Sequence, residues 1–126
     1  MATDKNAKVV ILGLSDDIER YSYLAYKRLL NNGYTDLVGV TPRKIELPDI
    51  VVVNSLSGVE RPVHTLTVYL SAEKLNLLID QIIDLQPERI ILNPGTENLT
   101  LKIKAQANNI DVVEGCTLVL LGTNQF

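Results

Sequence analysis

The sequence predicts an α/β fold in which a doubly wound, mainly parallel sheet lies between two layers of helices, in a single domain spanning residues 1–126. Three observations predict this fold. Short runs rich in β-branched residues alternate with amphipathic segments along most of the chain. The first run is apolar at nearly every position, which is typical of a strand buried on both faces of a parallel sheet. Gly13 ends that run, at the turn where such sheets open their ligand site.

The N-terminal half contains three predicted strands and one helix. The first strand covers residues 8–12 (KVVIL), and a helix over about 22–32 follows a polar loop. Gly33 lies where a helix C-terminal cap is expected. Two further short strands cover 36–40 and 50–53, and Pro42 and Pro48 mark the loops between them.

The C-terminal half continues the alternation. A strand over 65–70 precedes a helix that starts at the N-cap Ser71 and ends before Pro87. A buried stripe along that helix is predicted at Leu75, Leu78, Ile79, Ile82 and Ile83. A strand over 89–92 leads to a helix over about 98–108, and a last strand covers 111–113. The apolar tail 117–121 is a strand or a short helix.

One face of the helix over 98–108 is expected to carry Leu99, Ile103 and Ala107. Because crossovers between parallel strands are right-handed, the alternation nearly determines the architecture, a Rossmann-like fold in three α/β/α layers.

Composition excludes several classes of function. The net charge is −3 and there is no basic run, so we expect no nucleic-acid partner. The apolar runs are too short to span a membrane, and residues 1–6 lack the apolar core of a secretory signal. The single Cys116 forms no internal disulfide, so we expect a cytoplasmic protein. With only Cys116 and His64 as soft ligands, a structural zinc site is not expected.

The loop after the first strand has the position of a phosphate-binding turn but lacks most of its glycines. Of the pattern G-x-G-x-x-G only Gly13 is present, and Ser15 stands at the second glycine position. The N–H groups at the start of the following helix, near Tyr21 and Ser22, would form an anion site. The alternative is a plain turn in which Ser22 only caps the helix.

The second strand ends without the carboxylate that nicotinamide dinucleotide enzymes use to hold a ribose. Arg43 and Lys44 follow it instead. A cation there suits a ribose that carries a phosphate, such as coenzyme A with its 3′-phosphate or a nicotinamide cofactor with a 2′-phosphate. The alternative is that both cations are solvated loop charges.

Several segments together resemble the small stand-alone coenzyme A-binding domain proteins, which are related to the coenzyme-binding domain of succinyl-CoA synthetase. The resemblance covers residues 8–126, with Ile18 in place of a usual proline and Thr41 in place of a usual asparagine. The matching segments are Gly13-Leu14-Ser15, Glu19-Arg20-Tyr21-Ser22, Val40-Thr41-Pro42-Arg43, Asn93-Pro94-Gly95-Thr96-Glu97-Asn98 and Glu114-Gly115-Cys116-Thr117-Leu118-Val119.

The resemblance implies binding of coenzyme A or an acyl-CoA, with no established catalytic residue. We therefore expect a binding or regulatory module, and an enzyme is the less favoured reading. The alternative is a small oxidoreductase or other enzyme that uses a phosphorylated nicotinamide cofactor. A protein partner or a homo-oligomer is left open. The expected ligand-binding residues are Gly13, Leu14, Ser15, Arg20, Tyr21, Ser22, Thr41, Pro42, Arg43, Asn93, Pro94, Gly95 and Thr96.

Each part of that ligand has an expected place. The pyrophosphate is expected against Gly13, Leu14 and Ser15, and a valine at Gly13 should block it while the fold largely survives. The turn 93–96 is expected near the pantetheine arm, and Arg43 near the 3′-phosphate. Alternatively, Thr96 only caps the next helix. His64 is expected to serve a loop or packing role, and Cys116 is expected to be a buried, inert thiol.

Overall fold

The structure is a computed structural model that describes residues 3–126. Met1 and Ala2, which belong to the predicted domain 1–126 and to the segment inspected for a signal, lie outside the described residues. Strands and helices alternate along the described chain. Their bounds are β1 (Val9–Leu12), α1 (Tyr21–Asn31), β2 (Leu37–Val40), β3 (Val51–Val53), a 3₁₀ turn (Leu56–Gly58), β4 (Thr65–Val68), α2 (Ala72–Asn76), α3 (Ile79–Leu85), β5 (Arg89–Leu92), α4 (Leu99–Ala107), β6 (Asp111–Glu114) and α5 (Thr117–Gly122).

The strands form one parallel sheet in the order β3-β2-β1-β4-β5-β6. The chain builds outward from β1 to β3, returns to the centre, and builds outward again from β4 to β6. This is the doubly wound Rossmann order, so the predicted fold class is confirmed. Leu12 pairs with Val40 on one side and Val68 on the other. The carboxyl ends of the central strands therefore lie level at one edge of the sheet.

Two hydrophobic cores lie on the two faces of the sheet. Side chains alternate along β1, so Val10 and Leu12 enter one core and Val9 and Ile11 enter the other. Residues of α2, α3 and α4 complete the first core, and residues of α1 and α5 complete the second. All four residues of β1 are buried, which explains why this strand is a continuous apolar run rather than an alternating one.

The single helix predicted before Pro87 is in fact two helices. Ser71 caps the first as expected, since its Oγ accepts the Lys74 N–H at 3.4 Å. The helical ladder then tightens, because the N–H groups of Leu77 and Leu78 bond to carbonyls only three residues back. Leu77, which is 82% exposed, lies in this break between α2 and α3.

The face of α4 that carries Leu99, Ile103 and Ala107 is exposed and does not face the core. Leu101 and Ala105 are buried, whereas Leu99 and Ile103 are 71% and 58% exposed. Asn98 is the N-cap of α4 and also contacts α2. Its Oδ1 accepts the Leu101 N–H at 3.0 Å, and its Nδ2 donates to Oδ1 of Asn76 at 2.7 Å, which fixes the start of α4 against α2.

One strand boundary differs from the predicted one. β4 ends at Val68 rather than Leu70, so Tyr69 and Leu70 leave the sheet. Of the two alternatives for the apolar tail after β6, the structure shows the short helix, α5. Over the described residues, no helix has the length and apolar character needed to cross a membrane.

Candidate functional site

A cleft of about 480 Å³ lies at the carboxyl edge of the sheet, over the ends of β1, β2, β4 and β5. The structure brings together here every site residue predicted from sequence except Asn93. The loop after β4 also contributes, which the sequence did not suggest. The lining residues are Gly13, Leu14, Ser15, Arg20, Tyr21, Ser22, Thr41, Pro42, Arg43, Tyr69, Leu70, Ser71, Lys74, Pro94, Gly95 and Thr96.

Gly13 holds the first turn close to the neighbouring loop. Its φ is +92°, and a Cβ there would lie 2.9 Å from both the Tyr69 carbonyl oxygen and Cδ2 of Leu70. Its N–H donates to the Val40 carbonyl at 2.9 Å. A side chain at this position is therefore strained and overpacked. The expectation that valine would leave the fold largely intact is wrong.

The loop from Ser15 to Ser22 is held by its own side chains. The Ser15 N–H donates to Ser22 Oγ at 3.1 Å, and the Asp17 N–H donates to Ser15 Oγ at 3.0 Å. Ser22 therefore acts within α1 as an acceptor for the loop and is not its N-cap. Because Ser22 Oγ accepts in that bond, its own hydrogen is free to donate.

The N-terminus of α1 is open toward the cleft. Its N-cap is Arg20, which makes no side-chain capping bond, and the first turn contains no acidic residue. Arg20, Tyr21 and Ser22 all line the cleft. The first N–H groups of a helix without a cap attract an anion through both hydrogen bonding and the helix dipole.

The cleft concentrates positive charge in an acidic chain. Arg20, Arg43 and Lys74 line it, and none of its lining residues is acidic, although the net charge of the chain is −3. Arg43 Nη2 lies 3.6 Å from Asp16 Oδ1, and Arg20 Nε lies 3.9 Å from Asp17 Oδ2. Exposed pairs of this length contribute little. Both guanidinium groups therefore remain available to a phosphate.

The turn after β5 forms the opposite wall of the cleft. Thr96 Oγ1 donates to the Asn93 carbonyl at 2.8 Å and closes the turn, while Asn98 rather than Thr96 caps α4. The Gly95 N–H donates to the Glu97 carboxylate at 3.0 Å. Since this N–H already donates to the Glu97 carboxylate, the wall suits a neutral part of a ligand better than a phosphate.

Asn93 lies beneath the cleft rather than in its wall. It is 3% exposed, and its Nδ2 donates to Thr67 Oγ1 and to the Val68 carbonyl, both at 2.8 Å. Its Oδ1 accepts the Thr117 N–H at 2.8 Å. Asn93 thus ties β4, β5 and the start of α5 together below the site.

A second, smaller cavity of about 210 Å³ adjoins the cleft. Three residues, Tyr21, Tyr69 and Pro94, line both spaces. Asn93, Cys116 and Leu118 complete the smaller cavity. Cys116 is only partly buried, which corrects the expectation of a fully buried thiol.

Tyr69 stands between the cleft and the smaller cavity. Its hydroxyl oxygen is buried and has no hydrogen-bond partner among the described residues. Burial raises the pKa of Tyr69 to about 12. The phenol therefore stays protonated at neutral pH.

His64 lies at the other edge of the sheet, just before β4 begins. Its Nδ1 is 2.7 Å from Thr65 Oγ1. It is therefore separated from the cleft by the length of the strand. In residues 3–126, His, Cys, Asp and Glu side chains form no group that could hold a metal ion.

A family model described as a CoA binding domain matches residues 7–122. No curated protein matches the chain.

Solved structures share the fold over nearly all of the chain. A crystal structure described as an uncharacterized protein is 36% identical, with a TM-score of 0.85, and the match covers 96% of this chain and 98% of that one. A protein from Thermus thermophilus, cell-free ID.343, is 22% identical, with a TM-score of 0.86 and coverages of 97% and 92%. The dinucleotide-forming acetyl-coenzyme A synthetase 1 of Ca. Korarchaeum cryptofilum, in complex with phosphate and ADP, is 17% identical. Its TM-score is 0.72, and the match covers 86% of this chain and 25% of that enzyme.

Proposed function

The chain belongs to the family of CoA-binding domains, and from this premise we propose that it binds coenzyme A or an acyl-CoA in the cleft at the carboxyl edge of the sheet. One observation supports this cleft as the coenzyme A site. Three cationic side chains and the uncapped N-terminus of α1 line it, although the chain as a whole is acidic. Coenzyme A carries three phosphates, so it is a ligand of the opposite charge.

The pyrophosphate lies against Gly13, Leu14 and Ser15 in this proposal. Gly13 and Ser15 are partly exposed at the cleft, and the N–H groups at the start of α1 belong to residues that line the same space. The Ser22 hydroxyl can donate to a phosphate oxygen while it continues to accept the Ser15 N–H.

The two ends of the ligand lie on either side of this central turn. Arg43 follows β2, next to β1, and its guanidinium can meet the 3′-phosphate with two parallel hydrogen bonds. The pantetheine arm runs along Pro94, Gly95 and Thr96 on the other side. It is uncharged, which suits a wall whose free N–H is already held by Glu97.

We propose a binding or regulatory module in the cytoplasm rather than an enzyme. His64 is at the far edge of the sheet, and no acid, base and nucleophile constellation lines the cleft within the described chain. The single cysteine fits a reducing compartment.

The alternative is a small enzyme that uses a phosphorylated nicotinamide cofactor. Arg43 favours it as much as it favours coenzyme A, because both ligands carry a phosphate on the ribose. The absence of the second and third glycines from the first turn argues against it.

Calorimetric titration of the full chain with coenzyme A, NADP and NAD tests the proposal. We expect coenzyme A to bind most tightly and NAD to bind most weakly. Tighter binding of NADP would favour the alternative, and tighter binding of NAD would overturn both. Mass spectrometry of any nucleotide retained through purification gives an independent answer.

A further inference from the structure

We propose that the smaller cavity beside the cleft holds the acyl group of an acyl-CoA, an inference that rests on the proposed function. The natural ligand would then be a short-chain acyl thioester rather than free coenzyme A. The cavity shares Tyr21, Tyr69 and Pro94 with the cleft, so a ligand leaving the cleft on this side meets it directly.

The strand order gives the ligand a direction. Arg43 follows β2, Gly13 follows β1, Pro94 follows β5 and Cys116 follows β6, and these strands lie in that order along one edge of the sheet, with β4 between β1 and β5. A molecule with its ribose phosphate at Arg43 and its pyrophosphate at Gly13 therefore extends toward β5 and β6. The sulfur end arrives where the smaller cavity lies.

The chemistry of the cavity suits an alkyl chain. Its wall contains no charged residue and is formed largely by two aromatic rings, Pro94 and Leu118. The one amide in the wall, that of Asn93, is already bonded to Thr67, Val68 and Thr117. Apart from the tyrosine hydroxyls, of which that of Tyr69 has no partner among the described residues, and the Cys116 thiol, the wall is apolar or already hydrogen-bonded. An apolar group would lose contact with water there.

The size of the cavity suggests the length of the chain. An apolar protein cavity of about 150 Å³ accommodates a benzene molecule. A cavity of about 210 Å³ therefore accommodates an acyl group of roughly four to six carbons.

The test is a titration series with the full chain, using coenzyme A and its acetyl, butyryl, hexanoyl and palmitoyl thioesters under reducing conditions. We expect affinity to rise about threefold to fourfold for each added methylene up to about six carbons and then to stop rising. If coenzyme A binds and chain length has no effect, the acyl site is overturned and the proposed function stands. If neither coenzyme A nor any thioester binds, the proposed function fails, and the inference fails with it.

Two variants test whether the chain-length preference arises in the smaller cavity. Leu118→Trp and the smaller change Cys116→Met should each fill the cavity, so coenzyme A should still bind while the preference for butyryl over free coenzyme A falls at least threefold. Val119→Trp is the matched control, because Val119 is on the same helix, is 59% exposed and does not line the cavity. A chain-length preference that survives in both filled variants, or that is lost equally in the control, would overturn this location.

Discussion

The two edges of the sheet each carry an arginine, and the surroundings of these two residues differ. At the carboxyl edge, Arg43 is exposed and has only a 3.6 Å contact with Asp16. At the amino edge, Arg89 donates to Thr65 Oγ1 from both Nε and Nη2, at 3.1 and 2.9 Å, and from Nη2 to Thr3 Oγ1 at 3.2 Å. Its guanidinium also lies 4.6 Å from the centre of the Phe126 ring.

The difference separates a cation that stabilises the fold from one that is free to meet a ligand. Arg89 is partly buried, and this burial lowers the pKa of its guanidinium. The hydroxyls and the ring around it satisfy that charge internally. The amino edge is closed further by the Thr3 N–H, which donates to the Phe126 carbonyl at 3.1 Å. At the carboxyl edge, the Arg43 guanidinium has no comparable set of hydroxyls and ring around it among the described residues.

The largest loss of stability is expected at Gly13, which lines the cleft and also lies against the loop after β4. Gly13→Ala should lower the free energy of unfolding by about 3 kcal/mol, since strain at positive φ adds to a clash with the Tyr69 carbonyl. Gly95→Ala is the matched control. Its φ is +88°, but no atom lies within 4 Å of the added Cβ, so we expect a loss of only about 1 kcal/mol. Urea unfolding measures both, and equal losses would refute the steric explanation.

Arg89→Met tests the structural role of the arginine at the amino edge. We expect it to destabilise the protein by about 2 to 3 kcal/mol, because it removes charge-assisted hydrogen bonds to Thr65 and Thr3. Coenzyme A affinity, measured at a temperature where the variant is folded, should not change. Arg43→Ala should leave the thermal unfolding midpoint nearly unchanged. A loss of binding in Arg89→Met would show that the two edges are coupled.

Tyr69 provides a pH-dependent effect of about 1.4 kcal/mol between pH 8 and pH 11. Its pKa is about 12 in the folded protein against 10.0 for an ordinary tyrosine. Because the folded-state pKa is raised, the stabilisation is complete below pH 10 and is lost as the pH rises from 10 to 12. Tyr69→Phe should therefore lose less stability over that range than the wild type. Urea unfolding at pH 8 and pH 11 measures the difference, and parallel losses in the two proteins would contradict the assignment.

Arg43→Ala should give the smallest effect and the most specific one. We expect about fivefold weaker binding of coenzyme A, equivalent to about 1 kcal/mol, and little change for dephospho-coenzyme A, which lacks the 3′-phosphate. The difference should shrink as salt is raised. Lys44→Ala is the control, since Lys44 is adjacent and exposed but does not line the cleft. Equal losses for both ligands would place the 3′-phosphate elsewhere.

The buried strands could be predicted from the sequence because both of their faces lie against apolar side chains. The run ending at Leu12 is apolar throughout, since both faces of β1 are covered. The turns that follow these strands could also be predicted, because glycine and proline mark where the strands end. Gly13, Pro42 and Gly95 interrupt apolar runs, and the carboxyl ends of parallel strands meet at one edge.

Features that depend on spatial neighbours could not be predicted. Apolar residues alternate with polar ones along α4, so Leu99 with Ile103 and Leu101 with Ala105 were equally suited to face the core. The packing of α4 in the first core decides between them, and Leu101 and Ala105 are the residues that enter it. Tyr69 and Lys74 were missed because they reach the cleft only through the pairing of β4 with β1.

The strand order also divides the chain into two halves of three strands each, β1 to β3 and β4 to β6. Among the residues described, the pairing of β1 with β4 is the one strand pairing that joins them. The cleft straddles this seam, with Ser15 and Arg43 on one side and Lys74 and Gly95 on the other. A ligand that contacts both sides would add a further connection between the halves, beside the β1–β4 pairing and the packing of α1 against α5. Its binding energy would therefore stabilise the centre of the sheet, and we expect slower hydrogen exchange at the β1–β4 amides when the ligand is bound.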